Sequence, residues 1–172
     1  MDFVAQIESQ ASLMRSAAVK AGPDAPVATC PEWTVRKLVR HIAEVHTWAA
    51  QAVVTEPEAG RPEWPKAPQD WDEALAWWDN GLSLLLGRLR DTPGDRPAWT
   101  FQGPSHAGFW ARRQAHETSI HRLDAEIATG HELPSLVFDP EFAADGIDEY
   151  LTVLVARRLE LGSAVSATGS RR

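Results

Sequence analysis

The sequence predicts an all-α helical bundle, and three observations carry that prediction. Apolar residues recur at three- and four-residue intervals through five long segments. No run of alternating apolar and polar residues competes with them as a strand. Prolines gather between those segments, at Pro23, Pro26 and Pro31 and again at Pro57, Pro62, Pro65 and Pro68, where a residue without an amide hydrogen breaks no helix.

The first helix is expected over about 2 to 20, with Val4, Ile7, Ala11, Met14 and Ala18 on its inner face. Thr34 is placed to cap a second helix that runs to about 54 and turns Leu38, Ile42, Val45, Ala49 and Ala52 inward. Asp70 and Glu73 form a capping-box-like pair at the head of the third, whose Trp71, Leu75, Trp78, Leu82, Leu85 and Leu89 give the clearest heptad of the chain. Ser105 is expected to cap the fourth helix, and Gly130 stands where a C-terminal stop belongs. A fifth, about 140 to 161, starts at Pro140 with Phe142, Ile147, Leu151, Leu154 and Val155 inward.

The connection from about 55 to 69 can span roughly 50 Å when extended, whereas a helix of about 20 residues is about 30 Å long. It can therefore return along the whole bundle as a long crossover, leaving helices 2 and 3 parallel. The domain is expected over 1–161, with 162–172, rich in Ser, Ala and Gly, as a disordered tail or linker.

A chain of 172 residues with 44% apolar and 24% charged content suits one domain with a real core. A net charge of −7 and a pI near 5.3 argue against nucleic acid as a partner. No stretch reaches the roughly 20 apolar residues of a membrane span, and the N-terminus lacks a secretory pattern, so a cytoplasmic protein is expected. Cys30 is the only cysteine; it excludes an internal disulfide and a cysteine-rich metal site.

Chemistry concentrates in the fourth helix. Arg113, Glu117, His121 and Asp124 form one stripe at three- and four-residue spacing, on the side that should face the core. Buried polar groups need hydrogen-bond, ionic or metal partners. Glu117 and His121, one turn apart, can share a metal ion, and His41 is the best third ligand: if helices 2 and 4 are antiparallel neighbours, it lies at the same depth. His46 and His116 each lie five residues from one of those histidines and are rotated away by about 140°. The run His116-Glu117-Thr118-Ser119-Ile120-His121 is not the zinc-protease motif, which needs two histidines four apart.

An ion pair between Arg113 and Glu117, and a hydrogen bond from His121 to Asp124, would account for the same residues without an ion. If a metal is bound, Arg113 and Asp124 become supports of the ligands or contacts to substrate. Cys30 reads as a small buried residue, having no histidine near it in sequence. Trp48, Trp71 and Trp78 fit core positions, whereas Trp33, Trp64, Trp99 and Trp110 fall in loops or near helix starts, where they could line a pocket above the metal.

Three stretches carry a family resemblance: Cys30-Pro31-Glu32-Trp33-Thr34-Val35, Leu38-Val39-Arg40-His41, and Arg113-Gln114-Ala115-His116-Glu117 through His121-Arg122-Leu123-Asp124. Over residues 1 to about 160 the chain resembles the N-terminal domain of mycothiol-dependent maleylpyruvate isomerase, one of the DinB-like metal-binding bundles. The resemblance implies a DinB-like four-helix bundle with one crossover, plus the C-terminal helix read above. It also implies zinc or a related divalent metal on His41, Glu117 and His121, and mycothiol as thiol cosubstrate.

The isomerase carries a C-terminal domain that helps form its active site, and this chain ends where such a domain would begin. An S-transferase-like enzyme acting on a small-molecule electrophile is therefore expected rather than complete isomerase activity. Two alternatives stand beside it: a non-catalytic metal- or ligand-binding module, and a nonheme iron oxygenase, whose sites also use two histidines and a carboxylate.

Overall fold

The computed structural model describes residues 1–130 and 138–159, which fall into two compact units divided after Pro134. In the larger unit, helix α1 (Phe3–Ala21) begins at Asp2, whose carboxylate accepts the amide of Ala5 at 3.0 Å. Helix α2 spans Val35–Val53 and α3 spans Trp71–Asp91. The Asp70 side chain accepts the amides of Asp72 and Glu73, both at 3.0 Å, the cap expected of an Asp at that position. Helix α4 (Ala107–Ala128) stops at Thr129 and Gly130, the latter at φ +77°, a conformation that favours glycine.

Side-chain pairs fix the helix directions. Arg40 reaches the carbonyls of Ala67 and Pro68, His46 meets Trp78, Arg88 reaches the carbonyl of Ala50, and Arg96 that of Val53. Positions advance together along both helices, so α2 and α3 are parallel. Between them the chain runs back along α2: Trp48 donates to the carbonyl of Pro62, while Trp64 and the amide of Ala67 donate to Glu44. The proline-rich connection is thus the long crossover read from its length.

Arg15 pairs with Asp79 and Arg90 with Glu8, which sets α1 antiparallel to α3. Trp48 packs on Trp110 while His41 faces Glu117 and His121, which sets α2 antiparallel to α4. At the α2–α3 contact Gly81 keeps the helices close, because a Cβ there would fall 2.5 Å from Thr47 Oγ1 and force that side chain to move.

The inner faces are those the heptads predict. Ile7, Met14, Ala18, Leu38, Ile42, Ala49, Ala52 and Leu85 are fully enclosed, and their burial is the main favourable term in folding. No helix among the described residues is long and apolar enough to cross a membrane.

Four expectations need correction. Thr34 holds the cap position of α2 but its side chain makes no cap bond. Ser105 belongs to a short antiparallel ladder, β1 (Pro97–Ala98) with β2 (Ser105–His106), and His106 is the cap residue of α4. Strands this short have no period for a sequence to display.

The fifth helix differs in register. In the smaller unit α5 (Pro140–Glu149), capped by Asp139, passes into a π turn over Tyr150–Val155. Ile147 and Leu151 are exposed by 63% and 55%, while Val153 is buried. Counted from the buried Phe142 at about 100° per residue, Glu149 and Val153 fall on its side while Ile147 and Leu151 fall on the far side, so the expected inward face was out of phase. Finally, Trp64, Trp99 and Trp110 do not gather above the metal-ligand candidates. They cluster on Trp48, at ring separations of 5.0, 5.5 and 5.2 Å, about 10 Å further along α2 from His41. The tail expected at 162–172 and the last turn of the fifth helix lie outside the described residues.

Candidate metal centre

Antiparallel packing of α2 against α4 brings His41, Glu117 and His121 together. Their ligand atoms all lie within 4.8 Å of one another. Nε2 of His41 is 3.2 Å, and Nε2 of His121 3.3 Å, from the same Glu117 oxygen, Oε1. The imidazoles meet edge to face with centroids 4.9 Å apart. Two imidazole nitrogens and a carboxylate oxygen make the donor set of an open zinc site. Bonds of about 2.0–2.1 Å in tetrahedral array place neighbouring donors about 3.3 Å apart. The two separations from Glu117 to the imidazole nitrogens already match that spacing.

Each polar residue of the stripe has a distinct job. Arg113, buried on α4 one turn before Glu117, donates from Nη2 to Glu117 Oε2 at 2.9 Å and leaves Oε1 facing the imidazoles. Asp124, also buried, takes His121 Nδ1 at 2.8 Å through Oδ2, which turns Nε2 toward Glu117. The pairs expected in the absence of an ion and the triad itself are thus the same construction, because each pair occupies the atom a metal does not need.

The electrostatics follow. Burial pushes the Glu117 carboxyl up, but hydrogen bonds with His121 and His41 and the charge of Arg113 outweigh it, and its pKa falls well below the ordinary carboxylate value. Burial opposes the charged form of His121, yet its bonds to Asp124 and Glu117 outweigh that cost and raise it from 6.5 to about 9. Without a metal, the imidazolium of His121 and the guanidinium of Arg113 together balance the two carboxylates.

The chain supplies a wall from the loop between α1 and α2. Trp33 lies nearly parallel to His121, 24° between planes and 6.1 Å between centroids, and is tilted against His41 at 5.0 Å. Of the four loop and helix-start tryptophans, it alone stands at the triad. Thr29 Oγ1 donates to Asp124 Oδ1 at 2.6 Å, a contact across 95 positions that no local pattern announces. Cys30, between these residues, is a half-buried free thiol packed against the core.

His46 and His116 are turned away from the triad. His46 is fully buried between Trp78 and Thr118, and burial lowers its pKa from 6.5 to about 3. His116 presents its ring edge to Phe3 on α1 at 6.0 Å.

Residues 4–126 match the family model of the mycothiol maleylpyruvate isomerase N-terminal domain. The match contains α1 from its second residue, all of α2 and α3, and the triad, together with Thr29, Trp33, Arg113 and Asp124. No curated protein and no solved structure matched.

Proposed function

The chain belongs to the mycothiol maleylpyruvate isomerase N-terminal domain family, and from that premise we propose a divalent-metal-dependent enzyme that uses a low-molecular-weight thiol, mycothiol, against a small electrophile. The observation that carries this reading is the convergence of His41 Nε2, His121 Nε2 and Glu117 Oε1 in one cluster. Zinc is the metal such a donor set favours, and three protein ligands leave one coordination position for an exogenous atom.

The chain's own residues divide the work. Glu117 and the two imidazoles hold the ion, Arg113 fixes which carboxylate oxygen faces it, and Asp124 keeps the proton of His121 on Nδ1. Trp33 walls one side of the triad with an apolar face. A bound divalent ion supplies acidity to an incoming thiol, which becomes nucleophilic once deprotonated. Cys30 has no part in this chemistry, because the nucleophile arrives with the cosubstrate. S-transferase-like chemistry is favoured over complete isomerisation, since the triad supplies thiol activation and nothing specific to a double-bond rearrangement.

Calorimetry of metal-loaded and metal-stripped protein with mycothiol, in two buffers of different ionisation enthalpy, tests the reading. The loaded form should bind more tightly and release about one proton per thiol, and Cys30→Ser should change neither. Equal binding by the two forms would overturn the metal–thiol mechanism. Stoichiometric binding with no turnover of any electrophile would make the domain a binding module. Ferrous iron in protein purified without chelator, with oxygen uptake, would make it an oxygenase.

A further inference from the structure

The loop between α1 and α2 is closed on itself and touches the triad at two points. Val27 donates its amide to the carbonyl of Trp33 at 3.0 Å, Cys30 to that of Val27 at 3.0 Å, and Trp33 to that of Cys30 at 2.7 Å. Pro26 and Thr34 pair across its base. This short cycle holds Thr29 and Trp33 at fixed separation, Trp33 against both imidazoles and Thr29 on Asp124.

Asp124 is a buried carboxylate, and both oxygens need partners. Oδ2 takes His121 Nδ1 at 2.8 Å and Oδ1 takes the Thr29 hydroxyl at 2.6 Å. Remove the hydroxyl and the carboxylate gains freedom about its terminal torsion, which is broad for an Asp side chain. The bond that orients His121 then loses its fixed geometry. A ligating histidine depends on that bond for its tautomer and ring direction.

We propose that Thr29 is a positioning residue of the metal centre, acting through Asp124 to hold His121 ready for the ion, so that the α1–α2 loop is a working part of the site. The proposal rests on the metal reading of the triad, and its test separates the two. Thr29 is exposed on its loop, so substitution there does not disturb the core.

The measurement is zinc affinity by competition with a chromophoric chelator, for the full chain and for Thr29→Val and Thr29→Ser. Val keeps the shape and donates nothing. It should weaken zinc binding about tenfold, the lower end of what loss of an outer partner costs a metal site, while Ser should restore it. Proton NMR of the zinc-loaded protein supplies a readout that a merely structural role would not move. The His121 Nδ1–H resonance should be sharp and downfield in the parent and Thr29→Ser, and shifted or broadened in Thr29→Val.

Zinc affinity of Thr29→Val equal to that of the parent, or failure of Ser to rescue it, would overturn the role of Thr29 alone. Failure of the parent chain to bind zinc would overturn the metal reading beneath it. Should Val prevent folding, Thr29→Ala takes its place with the same expected direction of loss.

Discussion

The indole N–H of Trp78 donates to Nδ1 of His46 at 3.1 Å, which places the single proton of that imidazole on Nε2. Nε2 then donates to Thr118 Oγ1 at 2.9 Å, and the Thr118 hydroxyl donates in turn to the carbonyl of Gln114 at 2.7 Å. One chain of hydrogen bonds therefore links α3, α2 and α4. It passes through Thr118, one residue from Glu117, so a neutral buried histidine ties α2 to α4 beside the triad.

That neutrality has a cost in acid. The folded pKa of His46, about 3, lies below its ordinary value of 6.5, so its contribution to stability is fully present above pH 6.5 and drains away as pH falls toward 3. A shift of that size corresponds to about 4–5 kcal/mol, a large fraction of the stability of an ordinary domain. Urea midpoints between pH 7.5 and 4 should fall steeply for the parent and far less for His46→Phe. Parallel slopes in the two proteins would assign the acid sensitivity elsewhere.

Alanine at His41, Glu117 or His121 should each abolish tight metal binding, because an open three-ligand site has no spare donor. His116→Ala is the control to use, since that ring packs edge to face with Phe3 of α1 and lies outside the hydrogen-bond chain that runs through His46. Spacing alone makes His46 look equally suitable as a control. Its burial does not, and His46→Ala should destabilise the fold by about 3 kcal/mol by emptying the site and orphaning the Trp78 and Thr118 groups. Elemental analysis of chelator-free preparations would report the metal, and loss of metal from His116→Ala to the same extent as from the ligand variants would defeat the assignment.

The metal should add chemistry more than folding free energy. The core of α1, α2 and α3 consists of apolar side chains that bury one another without the ion, unlike a zinc finger, which is unfolded without its ion. Far-ultraviolet circular dichroism before and after chelation should differ by little. Collapse to coil on chelation would show that the ion carries the fold.

How much of this was legible in the residues depended on the range of the interaction. The heptads of α1, α2 and α3 exposed their inner faces, because burial of a helix stripe repeats every three to four positions. The triad was legible for the same reason: Glu117 and His121 are one turn apart, and a depth match to His41 needed only helix length. The crossover was readable from proline content and reach. Thr29 was not, because a hydroxyl that meets Asp124 across 95 positions leaves no period. The aromatic cluster on Trp48 was misplaced because sequence shows which tryptophans lie near helix ends, but not which end of the bundle they reach. The inward face of the fifth helix was misread because its apolar residues do not keep one phase: counted from Phe142 at a 3.6-residue period, Val153 falls on the buried side and Leu151 opposite it.

The last prediction concerns the proton that a metal must displace. In the metal-free protein His121 lies between Asp124 at Nδ1 and Glu117 at Nε2, and its pKa is raised from 6.5 to about 9. A raised pKa stabilises the metal-free fold below pH 6.5, and that contribution is lost as pH rises through about 9. A metal needs the Nε2 lone pair, so below pH 9 binding must expel the proton shared with Glu117. Apparent zinc affinity should rise about tenfold per pH unit between roughly 7 and 9 and level off above. Asp124→Asn removes one of the two carboxylates that hold the proton, so the plateau should begin at lower pH, while the affinity reached there drops about 10- to 100-fold for want of an anionic partner at Nδ1. Chelator competition across pH 6.5–9.5 reads both effects. A profile already flat at pH 7 in the parent would mean that His121 enters the site neutral and that the carboxylate pair does not hold its proton.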